Sequence, residues 1–335
     1  MILAGDIGGT HSRLALFSEE AGRLRLAREK IYLSREHKGL DEIVSLFLRE
    51  EAASVKSACF GIAGPVLQGR AKASNLAWGA DARQLSQQTG IGTVWLINDL
   101  EAHASGIDDL EATDLISLNS AGPGEGNAAL IAAGTGLGEA GMYWDGARRR
   151  AFAGEGGHAD FAPRNDLELS LHQYLIKKFG HVSCERVISG PGLKNVYDFL
   201  RDSGTEPEPG WLKDELRQAS DPVAVISQRG LEAKAPICER TLDIFVGAYG
   251  AEAGNLALKL LATGGVFISV GIAVKILPQL RGPGFLRAFS DKGRMKALLE
   301  AIPIKVITND KVGLIGAARY ALTKATENTS TDVVL

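Results

Sequence analysis

Cysteine is scarce in this chain, and its placement is uninformative for metal binding. Cys59, Cys184 and Cys238 are widely spaced and form no C-x-x-C pair. That usage points to a reducing compartment and away from a structural zinc site. No long basic run occurs and the formal net charge is -3, so nothing advertises a nucleic-acid partner. The longest apolar stretch, G-V-F-I-S-V-G-I-A-V, falls short of a membrane span and runs into Lys275. The opening M-I-L-A-G-D reaches an acidic residue too early for a secretory signal. A cytoplasmic protein without membrane or nucleic-acid partners is expected.

What is present is glycine. The chain has 335 residues, 45% hydrophobic and 23% charged, which is ordinary globular usage with core enough for two domains. Its 40 glycines fall mostly in short clusters, where backbone turns tightly or approaches a ligand. The pattern up to residue 107 predicts three strands, a helix, a strand, a helix, a strand and a helix. A second run of strands follows over about 128–133, 139–144 and 148–153, with Asp145-Gly146 as a hairpin turn. Helices are expected over 166–179, about 236–262 and about 311–323, and strands over 266–270 and 304–307. There is a faint internal repeat. G-D-I-G-G-T at 5–10 closes the first strand, and A-A-G-T-G-L-G at 132–138 closes the first strand of the second run. Two similar half-molecules facing each other would bring both loops over one cleft.

Three phosphate devices are built on glycine clusters, and two of them do not fit here. Gly136-Leu-Gly138-Glu-Ala-Gly141 fits G-x-G-x-x-G literally, but a dinucleotide fingerprint needs a helix next and a hairpin follows here. No G-x-x-x-x-G-K-[ST] occurs, which removes the P-loop. Backbone N–H groups in a glycine hairpin can still form an anion-binding concavity. Two such hairpins could clamp a polyphosphate, although either one alone reads as a tight turn.

The polar candidates stand at element boundaries. V-W-L-I-N-D at 94–99 is an apolar strand running into Asn98 and Asp99. A helix cap explains such a pair, and so does a catalytic carboxylate. Glu155 and His158 sit among glycines in A-G-E-G-G-H-A-D-F-A-P, where a core role is unexpected. Glu185 precedes an apolar pair and a Gly-Pro-Gly turn, and by itself reads as a surface acid at a helix start.

Taken in order, the motifs G-D-I-G-G-T with Arg13, L-I-N-D, A-G-T-G-L-G, G-E-G-G-H-A-D-F-A-P and H-V-S-C-E-R-V-I-S-G-P-G-L closely resemble the bacterial ATP-dependent glucokinases. The resemblance runs from about Ile2 to Thr323. It implies an α/β fold of the actin-like ATPase superfamily, with two ribonuclease-H-like domains flanking a cleft. The small domain would be residues 1–108 plus 312–335 and the large one 109–311. The implied reaction moves the γ-phosphate of ATP to the 6-hydroxyl of glucose, with Mg²⁺, in a homodimer. Asp99 would be the catalytic base and, with Asn98, would touch the sugar. Glu155, His158 and Glu185 would bind glucose hydroxyls, helped by Ser74 and Asn75. Gly8, Gly9 and Thr10 would cradle the phosphates opposite Gly134, Thr135 and Gly136. Asp6 would hold Mg²⁺, and Gly271 would approach the adenosine. His11 and Val270 depart from the family pattern, which has Asn and Gly there. His158 lacks the neighbouring cysteines of the related zinc-bearing sugar kinases. The alternatives are a kinase for another hexose, or a non-catalytic sugar-binding regulator.

Overall fold

The structure, a computed structural model, describes residues 1–331 apart from 53, 73–75 and 77. The chain divides into two compact units. The first comprises Met1–Asp114, Arg149–Ala153 and Asn309–Leu335; the second comprises Leu115–Arg148 and Gly154–Thr308.

In the first unit, Ile2–Ile7 pairs antiparallel with His11–Glu20, closing the G-D-I-G-G-T hairpin. Arg23–Leu33 adds an outer antiparallel strand. On the other side Ser57–Ile62 and then Thr93–Asn98 join in parallel. Both faces of this sheet are covered, which is why its central strands are apolar at almost every position. One face carries the helix Leu40–Glu51, whose Leu40, Ile43, Val44 and Phe47 recur at helical spacing and are all buried. Against the other face lie Asp99–Gly106 and the long helix Val312–Thr331. Three short strands, Val66–Leu67, Arg70–Lys72 and Gly79–Asp81, form a separate small sheet that periodicity does not predict. They are too short to show a period.

The second unit repeats the scheme. Ala128–Ala133 and Leu137–Trp144 form the second glycine hairpin. Gly265–Ile268 and Ile304–Ile307 follow in parallel, and Leu115–Ser117 closes that edge antiparallel. The helix Pro236–Leu260 is buried nearly all round and forms the middle of this unit's core.

Two expectations need correction. Gly190-Pro191-Gly192 is no isolated turn but the first turn of the helix Gly190–Asp202. Ser189 caps it by accepting from Gly192 N at 2.9 Å, and proline suits a position with no helical N–H to give. The C-terminal helix also runs beyond Thr323, to Thr331.

Candidate active site

In the first unit, the loop after the first strand is held by its own backbone. Gly8 N donates to His11 O at 2.9 Å, and the Ser34 hydroxyl donates to Gly8 O at 2.8 Å. Ser34 N donates to Thr10 O at 2.9 Å, so a neighbouring segment fixes the hairpin tip from outside. Thr10 is exposed, and Gly8 and Gly9 are half-buried. Asp6, also half-buried, ends the strand beside this loop.

The strand Thr93–Asn98 delivers Asn98 and Asp99 to the start of the helix Asp99–Gly106. The cap belongs to Asn98: its Oδ1 accepts from Leu100 N at 2.9 Å and from Glu101 N at 3.3 Å. Asn98 Nδ2 donates to Gly64 O at 3.1 Å, so its amide is engaged at both ends. Asp99 occupies the first helical position, where its Oδ1 accepts from Leu100 N at 2.9 Å. Helix N-terminal N–H groups favour the ionised carboxylate there. A cap reading therefore does not require Asp99.

Glycines set how closely that helix packs. A Cβ at Gly316 would lie 1.7 Å from Ala102 O, and one at Gly106 would lie 2.5 Å from Val312 O. On the sheet side, a Cβ at Gly61 would meet Ala102 Cβ at 2.8 Å. One turn along the C-terminal helix, a Cβ at Gly313 would meet the His103 ring at 2.9 Å and Asp6 Cγ at 3.5 Å. His103 thus stands beside Asp6. Burial lowers the His103 pKa, and the Asp6 charge opposes that shift. Neither His103 nor Gly313 stands out in the sequence, since helix spacing alone does not reveal a neighbour on a distant helix. Ser74 and Asn75 lie outside the described residues.

In the second unit, the glycine hairpin is the hub. Gly134 N donates to Gly136 O at 2.8 Å, and Gly190 N donates to Gly134 O at 2.8 Å. Thr135 projects into solvent between them. Gly271, at φ 115°, leaves no room for a side chain: its Cβ would lie 2.8 Å from Ala133 O. That places the end of the strand Gly265–Ile268 against the hairpin, with half-buried Val270 beside it.

Glu185 lies on the short turn Cys184–Arg186 and is half-buried, unlike a surface acid. Leu137 N donates to its Oε2 at 3.0 Å, and a Cβ at Gly136 would lie 2.5 Å from that same oxygen. Glu155 and His158 flank the turn Gly156–His158, with His158 Nε2 3.9 Å from Glu155 Oε2 and both side chains more than half exposed. This turn is tied to the Glu185 segment, because Cys184 N donates to Ala159 O and Phe161 N to Val182 O, each at 2.9 Å. The second unit therefore gathers two carboxylates and an imidazole around the mouth of its glycine hairpin. Such acceptor-rich surroundings suit a polyhydroxylated ligand.

Among the described residues, no group of three or more His, Cys, Asp or Glu is placed to hold a metal ion. A magnesium ion needs less: one carboxylate, waters and substrate phosphate oxygens suffice. Asp6 beside the first hairpin fits that requirement. No helix of the described residues is long and apolar enough to cross a membrane.

Against this geometry stand the comparisons with known proteins. The family model described as Glucokinase matches residues 3–324. A glucokinase of Nostoc punctiforme is 43% identical, with 96% of this chain and 98% of that protein covered. One from Synechocystis sp. is 44% identical over 94% of this chain and 96% of its own length. The crystal structure of a glucokinase from an Antarctic psychrotroph superposes with a TM-score of 0.84 at 29% identity, covering 96% of this chain and 98% of that one. A ROK family glucokinase from Streptomyces griseus, solved with glucose and AMPPNP, shares the fold with a TM-score of 0.64 at 21% identity, covering 96% and 99% of the two chains.

Proposed function

The chain belongs to the glucokinase family, and on that premise we propose that its two glycine hairpins and its two sets of acids serve one reaction, transfer of the γ-phosphate of ATP to the 6-hydroxyl of glucose. The α/β architecture is that of the actin-like ATPase superfamily. In this reading Asp99 is the base. The observation that carries it is the division of labour at the helix start: Asn98 makes the cap, so the neighbouring carboxylate is not needed for it. Phosphoryl transfer runs through a loose transition state, and the hydroxyl proton leaves late. A carboxylate placed at that hydroxyl can accept it.

Glu155, His158 and Glu185 receive the sugar hydroxyls, with Ser74 and Asn75 assisting. Asn98 touches the sugar with whatever capacity its amide retains beyond the cap. The backbone N–H groups of Gly8, Gly9 and Thr10 hold phosphate oxygens, as do those of Gly134, Thr135 and Gly136. Gly271 admits the adenosine. Asp6 holds Mg²⁺ through water, and the ion would neutralise charge on the phosphates. The rest of the catalysis is positioning and exclusion of water.

Three buried free cysteines support work in the cytoplasm. The homodimer rests on the family resemblance, and sedimentation at micromolar concentration checks it.

A coupled assay over a panel of hexoses and nucleoside triphosphates tests the reading. Glucose with ATP is expected to give the highest kcat/KM. A higher value for another hexose would reassign the substrate, and binding without turnover would favour a sugar-responsive regulator.

A further inference from the structure

Directly behind the sugar-binding turn lies a buried acid that the proposed reaction does not use. Glu139, on the strand Leu137–Trp144, is 3% exposed, and its Oε1 has no hydrogen-bond partner among the described residues. Its carboxyl occupies the space left by a missing side chain, because a Cβ at Gly156 would lie 1.9 Å from Glu139 Oε2. The same strand supports the turn on both sides of that point. A Cβ at Gly157 would lie 2.0 Å from Leu137 O, and one at Gly154 would lie 3.4 Å from Glu139 O. Two residues before Glu139, Leu137 N holds Glu185. One strand therefore underlies both groups of sugar-binding residues.

A second buried acid faces this one. Glu252, on the helix Pro236–Leu260, is 5% exposed, and its Oε1 also lacks a hydrogen-bond partner among the described residues. Its Oε2 accepts from Cys184 Sγ at 3.4 Å and from Asn255 Nδ2 at 2.9 Å. Lys259 Nζ stands 3.7 Å from Glu252 Oε1, and Lys292 Nζ reaches Asn255 Oδ1 at 2.6 Å. Donors thus collect on Glu252, and among the described residues none is directed at Glu139 Oε1. A carboxylate so buried, unpaired and close to another acid is costly, whereas a carboxylic acid is not.

We infer that Glu139 is a positioning residue for glucose, whose carboxyl fills the space under Gly156 and seats the turn bearing Glu155 and His158. The inference rests on the sugar-site reading above. Burial and the Glu252 charge push the Glu139 pKa up to about 7, against an opposing pull from Lys259. Cys184 and Tyr249, the other titratable groups facing it, are pushed upward by burial and stay protonated through neutrality. Above neutrality Glu139 ionises beside Glu252, the seat becomes unfavourable, and the turn shifts. Glucose affinity falls while the chemical step at Asp99 does not.

The test is the pH profile of glucose KM and kcat, measured from roughly pH 6 to pH 9, around the window in which Glu139 changes charge. In the unaltered enzyme KM should rise about tenfold across that range, the factor of one pKa unit of coupling, with kcat following a different curve. Glu139→Gln, which mimics the protonated acid, should flatten the KM rise. Glu252→Gln, which removes the opposing charge, should move it to lower pH. Infrared difference spectra should show a protonated carboxyl band at acidic pH that Glu139→Gln abolishes. An unaltered KM profile in Glu139→Gln would overturn the inference, as would a folded Glu139→Gln protein with weak glucose binding at every pH. Failure of the sugar-site reading is distinguishable. Glu155→Gln and Glu185→Gln would then leave glucose affinity unchanged while the carboxyl band persisted, and the positioning role would fall with that site.

Discussion

The main-chain N–H of Leu137 donates to Glu185 Oε2 at 3.0 Å, so the second glycine hairpin itself aims the acid beside it. The orientation of Glu185 is therefore set by the backbone before any ligand arrives. Glu185→Gln should weaken glucose binding by about 1.5–3 kcal/mol, the worth of a hydrogen bond to a charged acceptor. Nucleotide binding should hardly change. Calorimetry with each ligand separately checks this, and unchanged glucose affinity would leave Glu185 a purely structural support of Leu137.

Asp99→Asn should lower kcat by roughly 10²–10⁴, the usual contribution of a general base. Stability should scarcely move, because Asn98 provides the cap. The companion change Asn98→Ala should instead cost about 0.5–2 kcal/mol of stability. Thermal melts and steady-state kinetics on both proteins separate the two roles. If Asp99→Asn turns over normally, the base lies elsewhere.

Gly316→Ala inverts the ordinary helix rule. Alanine in place of a helical glycine normally stabilises by up to about 1 kcal/mol. Here the new Cβ would meet Ala102 O at 1.7 Å and Gly106 N at 2.7 Å, both backbone atoms that cannot step aside. A loss of about 1–3 kcal/mol is expected, together with a lower kcat as the Asp99 helix is displaced. A denaturant midpoint equal to that of the unaltered protein would contradict this packing.

Glu139 makes stability depend on pH in a fixed direction. Its pKa is raised from 4.5 to about 7 on folding, so between those values the folded chain holds a proton that the unfolded chain has released. The resulting stabilisation is complete below the unfolded value and is lost as pH rises through the folded one. It amounts to about 3 kcal/mol. Glu139→Gln should abolish this slope, so the variant gains on the unaltered protein as pH increases. Urea unfolding at roughly pH 4 and pH 8, on either side of the window, reads the difference.

Turnover should require Mg²⁺ and survive a zinc-selective chelator. The basis is Asp6 beside the first hairpin and the absence, among the described residues, of any metal-binding group of three. Activity lost to that chelator and not recovered with Mg²⁺ would contradict the assignment.

The parts of this molecule that are legible in its sequence are those written in local chemistry. The two glycine hairpins announce themselves by composition, and Leu40–Glu51 by the spacing of Leu40, Ile43, Val44 and Phe47. The helix starting at Gly190 was readable too, since Ser189 and Pro191 are its cap and first-turn signals, yet a Gly-Pro-Gly run reads more readily as a turn. The rest depends on partners far along the chain. Glu139 looks like one polar residue in an apolar strand until Glu252 arrives from a helix far along the chain. Gly313 looks like a poor helix residue until His103 and Asp6 fill the space beside it. For Asn98 and Asp99, local signals suggest a cap without saying which of the two makes it.

The close glycine seam between Asp99–Gly106 and Val312–Thr331 also sets an order of events during synthesis. The first unit is interrupted: its sheet and Asp99 helix are translated early, but its closing helix emerges only after the entire second unit. Until then Ala4, Ala15, Phe17 and Ile97 lack the apolar partners Leu314, Ala317, Ala318 and Ala321 that cover them in the finished fold. The nascent first unit must wait with that face open, a state prone to wrong association. The second unit, made in one nearly continuous stretch, can fold while it waits. A ribosome-bound chain arrested before Val312 should therefore protect the helix Pro236–Leu260 from protease while leaving the Asp99 helix open to attack.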